Sequence, residues 1–149
     1  MAPCDIVSWL ARNCFEYADE LDFAMVREVF LVKGLEYLVE DEVRDPGRWA
    51  GTESAPEMLQ FYNGLANVES VLNILEAMMA KYGRLFAFRH ESQGKRRTIT
   101  LNHRMGKNWS ILLEENLKTI FARLGIGLQT EVTTNMVKAS FVESLQNQS

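Results

Sequence analysis

Residues 85–141, LFAFRHESQGKRRTITLNHRMGKNWSILLEENLKTIFARLGIGLQTEVTTNMVKASF, decide the fold, because the spacing of their apolar side chains changes twice. From Leu85 the period is two. Phe86, Phe88 and His90 share one face, and after the turn signal Ser92-Gln93-Gly94, Ile99, Leu101 and His103 do the same. Setting Phe88 against Ile99 and Phe86 against Leu101 gathers the apolar side chains on one side, which predicts that register and places Arg84 opposite His103. From about Lys107 the period becomes helical, through Trp109, Leu112, Leu113, Leu117, Ile120, Phe121 and Leu124, and Gly125 followed by Ile126 predicts the helix end. Alternation then returns. Leu128, Thr130 and Val132 lead into a turn at Thr134-Asn135, and Val137, Ala139 and Phe141 lead out of it.

Upstream, helical spacing dominates. Ile6, Leu10, Cys14 and Tyr17 predict a helix over 5–20, and Asp22 is the expected N-cap of another reaching Val43. That second segment is apolar on more than one face, with Phe23, Val26, Phe30, Tyr37 and Leu38. Gly34 leaves a short strand over Val29–Val32 as the alternative. Asp45-Pro46-Gly47 and Gly51 predict a loop over 44–53. Ser54 and Glu57 then have capping-box spacing, so a helix is expected to start there. Phe61, Leu65, Val68, Leu72, Leu75, Met79 and Tyr82 follow at heptad spacing, interrupted only by Asn63-Gly64. Such a seam packs on the same chain or on a second copy.

The resulting fold class is α+β: N-terminal helices packed on a four-stranded antiparallel sheet, in the order α-α-α-β-β-α-β-β. With 149 residues, 47% hydrophobic and 24% charged, 9 Gly, 3 Pro and a net charge of −4, the chain has the make-up of one ordinary globular domain. A helical half, 1–82, precedes a hairpin–helix–hairpin half, 83–145. No run of about 18 apolar residues occurs, and the N-terminus lacks the basic flank of a signal peptide, so a cytoplasmic protein without membrane contact is expected. Cys4 and Cys14 lie too far apart along a helix for a disulfide, and two reduced thiols follow. Residues 1–80 carry 15 Asp+Glu against 5 Lys+Arg, and residues 81–149 carry 5 against 11. The halves therefore attract each other, a second copy or an anion.

Most chemistries lack their residues here. His90 and His103 fall at opposite ends of the predicted hairpin and the cysteine spacing fits no common zinc pattern, so no metal and no cofactor are expected. No Gly-x-Ser-x-Gly frame, phosphate-cradling glycine loop, basic recognition helix or aromatic–basic interleaving occurs, which argues against a nucleophilic enzyme, a nucleotide site and nucleic acid. Glu40, Asp41 and Glu42, with Asp45, read as a solvated helix end, and Glu114 and Glu115 as the exposed face of the late helix. One cluster remains. Residues 101–108 join a strand to a helix start, and His103, Arg104 and Lys107, with Arg84 from the predicted register, form the candidate ligand-binding site for a carboxylate or phosphate.

Residues 98–141 are similar to the C-terminal strand–helix–hairpin unit of the haem-nitric-oxide-binding and vinyl-reductase-like ligand-binding domains. The haem branch carries Tyr-x-Ser-x-Arg where this chain has Leu101-Asn102-His103-Arg104, and the other branch has late cysteines where this chain has none. The resemblance implies a sensory or regulatory fold without haem. The expected function is a non-enzymatic small-ligand-binding domain that takes an anionic molecule. The alternative is a homodimeric adaptor that meets a protein partner or its own copy through the heptad seam. An enzyme of unknown chemistry comes third.

Overall fold

In the computed structural model, which describes residues 28–61 and 66–143, the alternating segments are strands β1 (Ala87–Gln93), β2 (Arg96–Asn102), β3 (Gln129–Val132) and β4 (Met136–Val142). They form one antiparallel sheet in the order β1-β2-β4-β3, and the fold is α+β. The second hairpin is as predicted: Val132 pairs with Val137, and the Thr133 N–H donates to the Met136 carbonyl at 2.9 Å, so Thr134-Asn135 make the turn.

The first hairpin departs from the predicted register. Phe88 faces Leu101 and His90 faces Ile99, because Gln93 pairs with Arg96 and leaves Gly94-Lys95 as a two-residue turn. Gly94 sits at φ +61, the backbone such a turn requires. A slip of two residues keeps every side chain on its face, so apolar matching cannot tell the two registers apart; turn geometry does. Arg84 is consequently not opposite His103. It precedes β1, exposed, with φ 53.

Across the inner face of the sheet runs the helix Lys107–Arg123, as its periodicity predicts. Ile99, Leu101, Val137 and Ala139 are wholly buried on that face, and the rings of Phe121 and Phe141 meet at 4.9 Å between centroids, tilted by 50°. The helix closes as Gly125 and Ile126 foretell: the Gly125 N–H donates to Ala122 O at 3.0 Å and the Ile126 N–H to Phe121 O at 2.9 Å, a Schellman motif.

The helical half is more broken than the sequence suggests. The expected helix to Val43 is two helices, α1 (Glu28–Glu36) and α2 (Glu40–Trp49), so the strand alternative at 29–32 also falls away. They part at Tyr37–Val39. There the Asn108 carboxamide donates to Leu35 O at 2.7 Å and Leu38 O at 3.0 Å, and the Glu42 carboxylate accepts from the Val39 N–H at 3.0 Å. One side chain thus satisfies carbonyls left open at a helix end, and another satisfies an amide left open at the next start. The predicted loop over 44–53 is helical. α2 contains Pro46 and continues into a π-helical segment, Ala50–Ser54, then α3 (Ala55–Phe61). Ser54 therefore caps nothing.

Nor is the heptad helix continuous. Asn67, in extended conformation, caps a new helix α4 (Val68–Ile74) by accepting from the Ser70 N–H at 2.9 Å, and a second π-helical segment, Leu75–Tyr82, follows. Val68, Leu72 and Leu75 of the expected seam are buried, as is Val71 outside it. With its helix labelled α5, the Lys107–Arg123 segment completes the described elements. The chain clusters into two compact units, Met1–Leu31 and Val32–Ser149. The helix expected at 5–20, Asp22, Cys4, Cys14, Asn63-Gly64 and the tail 146–149 lie outside the described residues.

What reads as a loop is helical because its glycines serve packing. A Cβ on Gly47 would stand 2.7 Å from the carbonyl oxygen of Leu112 and 2.9 Å from Cβ of Glu115. One on Gly51 would stand 2.6 Å from Cβ of Thr119. Two glycines four residues apart let α2 and the π-helical segment lie backbone to backbone on α5. Gly34, inside α1, has nothing within 4 Å of the same position. The three substitutions to alanine should therefore differ in sign. Gly47→Ala and Gly51→Ala are expected to destabilise by about 1–3 kcal/mol through overpacking, whereas Gly34→Ala should stabilise α1 by about 0.5–1 kcal/mol. Urea denaturation followed by circular dichroism measures all three; equal effects would reject the close-approach reading.

Candidate functional site

The strand-to-helix junction is built as a lock. Gly106, at φ +88, precedes α5, and its N–H donates to the Asn135 side-chain oxygen at 3.2 Å. The His103 N–H donates to the Asn135 carbonyl at 2.9 Å, so the β3–β4 turn grips the junction from both sides. The imidazole is engaged at each nitrogen. Nδ1 accepts from the Met105 N–H at 3.2 Å, which requires a free lone pair there. The proton then sits on Nε2, 2.8 Å from the Ser110 hydroxyl, and that hydroxyl donates in turn to the Thr134 carbonyl at 3.2 Å. Ser110 is wholly buried. The sequence reading found His103 but not Ser110, whose place one turn into the helix put it beneath the imidazole.

Burial holds the His103 pKa below its ordinary value of 6.5, in keeping with a ring whose neutral form makes every bond. The ring is therefore not a cation waiting for an anion. Arg104 and Lys107 are exposed, and Arg84 lies outside the ladder. Of the four predicted residues, the register brings none across from His103; continuing the observed pairing sets Phe86 there instead.

The acidic residues also change role. Glu114 and Glu115, read as an exposed face, are turned inward. Glu114 accepts from the Thr130 hydroxyl at 2.6 Å and from Lys118 at 2.8 Å, while Glu115 accepts from Arg44 at 2.7 Å. Burial pushes the Glu114 pKa up, but the hydrogen bonds from Lys118 and Thr130 and the charges of Lys118 and Arg44 outweigh it, so the carboxyl lies below its ordinary range. Glu40, in the first turn of α2, pairs with Arg44, whose pKa is raised mainly by that bond. In the basic half, Arg97 pairs with Glu69 and, at 3.0 Å, with Glu143. These charges are spent on one another.

Space for a ligand lies elsewhere. Between α3, α4, both π-helical segments and α5 is an apolar cavity of about 90 Å³, walled by Met58, Leu59, Val71, Ile74, Leu75 and Met79. Ala50, Ser54, Ala55, Asn116 and Ile120 complete the wall. A groove of about 320 Å³ shares Ala55, Leu59 and Ile120 with it and runs past Gly51, Pro56 and Gln60 to Arg123. Asn116 is 7% exposed and is the amide side chain in the cavity wall. A polar side chain in an apolar wall is costly unless something meets it. The sequence held a signal for it: Asn116 stands among Leu113, Leu117 and Ile120 on the buried side of a helix, where an apolar residue is the rule. The buried side-chain group left without a hydrogen-bond partner among the described residues is the Trp109 indole N–H.

Among the described residues no group of three or more His, Cys, Asp and Glu could hold a metal ion, and no helix is long and apolar enough to cross a membrane. Compared with family models, with curated proteins and with solved structures, the chain matches none.

A lowered histidine pKa fixes the sign of one pH effect. The unfolded chain takes up the proton first, so the contribution of neutral His103 is complete above about pH 6.5 and is lost as pH falls through the lower folded-state value. The denaturation midpoint should drop between about pH 7 and pH 5, and it should drop less in His103→Gln, which keeps an acceptor and a donor but cannot titrate in that window. Equal pH slopes in the two proteins would show that the ring is not held neutral.

Proposed function

We propose that the chain is a non-enzymatic ligand-binding domain whose site is the apolar cavity around Asn116, not the strand-to-helix junction. The ligand class follows from the wall: a small apolar body carrying one hydroxyl, carbonyl or amide group, which the Asn116 carboxamide meets as donor or acceptor. A longer molecule would extend along the groove. An acidic group at its far end would meet Arg123, whose Nη1 otherwise donates to the Thr52 carbonyl at 3.1 Å.

The observation that carries this reading is Asn116 itself, a polar side chain set in the wall of an apolar cavity. Two further features support it. Both π-helical segments, Ala50–Ser54 and Leu75–Tyr82, contribute to the cavity wall, and such segments are frequent at functional sites. The similarity of residues 98–141 to sensory ligand-binding domains points the same way. Filling the cavity would press on two irregular helical turns at once, which gives a regulatory domain a means of reporting occupancy.

Asn116→Leu separates a ligand amide from a structural one. Without ligand, the variant is expected to be more stable than the natural protein, by about 1–3 kcal/mol, because a polar amide no longer stands in an apolar wall. With ligand, it should lose the stabilisation that the natural protein gains. The test is a thermal-shift screen of small aliphatic and aromatic alcohols, amides and carboxylates, with native mass spectrometry of freshly purified protein to detect a retained molecule. A less stable variant, or compounds that stabilise both proteins equally, would reject the site.

A further inference from the structure

Among the described residues β1 is an edge strand of the sheet, and Ala87, Arg89, His90, Glu91, Ser92 and Gln93 are exposed along it. The other edge, β3, is only four residues long. Which backbone groups of β1 are open follows from the ladder. The Glu143 N–H donates to Lys95 O, and the His103 N–H to Asn135 O, so odd-numbered residues on this side of the sheet bond towards β4. Even-numbered residues of β2 then bond to β1, and by the pairing Gln93↔Arg96, Glu91↔Thr98 and Arg89↔Thr100 they use the odd-numbered residues of β1. The N–H and C=O groups of Phe88, His90 and Ser92 are left pointing away from the sheet.

We propose that this edge is the interface between two copies of the chain, with β1 pairing antiparallel to β1 of a second copy about a two-fold axis through His90. Only registers that match open groups to open groups can form bonds, and side-chain charge chooses among them. With the axis at His90, Phe88 pairs with the partner's Ser92 and His90 with the partner's His90, and every open group in that stretch finds a partner. Arg89 then lies opposite the partner's Glu91, and Glu91 opposite the partner's Arg89. Moving the axis one residue to Arg89 sets the two Arg89 side chains directly opposite each other. Moving it to Glu91 does the same to the two Glu91 side chains. Like charges directly across an antiparallel pair are unfavourable and opposite charges favourable, so the sequence supports one register and opposes both neighbours. Within one chain Arg89 and Glu91 already approach to 3.8 Å, on the same face of the sheet. The assembly is a closed, isologous dimer with one continuous sheet. It uses a different surface from the heptad seam, and it stands independently of the Asn116 cavity.

Sedimentation analysis at tens of micromolar tests it with two variants of the full chain. The natural protein is expected to run as a dimer. Glu91→Arg, which faces the partner's Arg89 with a second arginine, should run as a monomer with an unchanged circular dichroism spectrum. Adding Arg89→Glu to that variant exchanges the two charges, restores the pairing and should restore the dimer, which a merely misfolded strand would not do. His90→Pro blocks the edge without removing a bond to β2 and should also be monomeric. A monomeric natural protein, a Glu91→Arg variant that still dimerises, or a double variant that stays monomeric would each overturn the proposal.

Discussion

The packing depends on how near α2 can come to α5. Helix axes normally stand about 8–10 Å apart because side chains keep them there; at Gly47 and Gly51 there are none, and the backbone of one helix lies against the other. The consequences spread outward. Arg44 and Arg48 are carried to Glu115, where Arg44 makes a bond of 2.7 Å and Arg48 one of 3.5 Å. α5 is covered on the side away from the sheet, which is why its buried residues, Trp109, Ser110, Ile111, Leu113, Asn116 and Leu117 among them, do not form a single stripe. The cavity lies where that close approach ends, beyond Gly51, as the chain turns through Ala50–Ser54 into α3.

The polar groups of α5 fall into two kinds. Ser110 and Glu114 are fully engaged, one in the His103–Thr134 relay and the other with Thr130 and Lys118, and both tie the helix to the β3–β4 hairpin. Asn116 faces the cavity. A satisfied polar network fixes position, whereas a lone amide in an apolar wall offers chemistry to something that is not part of the chain. The division of charge along the sequence has a similar outcome. Part of it resolves into specific pairs between the two halves of the sequence, Arg97 with Glu69 and Arg44 with Glu115.

The sheet, the long helix and the second hairpin were legible because alternation, helical spacing and the Leu124-Gly125-Ile126 ending each report on one local geometry. The first hairpin's register was not. Phe86, Phe88, Ile99 and Leu101 satisfy two registers equally, and the turn at Gly94-Lys95 decides. Residues 44–53 misled for a different reason: Pro and Gly signal a loop when only the local chain is considered, yet the two glycines answer to Leu112 and Thr119, more than sixty positions away. At the candidate sites the outcome was similar. His103 was visible as a polar end to an apolar alternation, but that both its nitrogens were occupied depended on Ser110 and the Met105 amide. Asn116 was visible in principle as the odd residue on a buried stripe, and it took the surrounding helices to reveal a space beside it.

The two glycines differ in what they oppose, and so in how they can vary. Gly47 stands against the carbonyl oxygen of Leu112, an atom every residue possesses, so no replacement on α5 makes room for a side chain there. Gly51 stands against the Cβ and methyl of Thr119 and, at 3.0 Å, against the carbonyl oxygen of Asn116. A side chain at 51 needs position 119 to give up its own and the Asn116 carbonyl to yield by a few tenths of an ångström, the glycine passing from one helix to the other. Related chains should therefore hold position 47 invariant and let 51 and 119 change together, a correlated pair beside a fixed point.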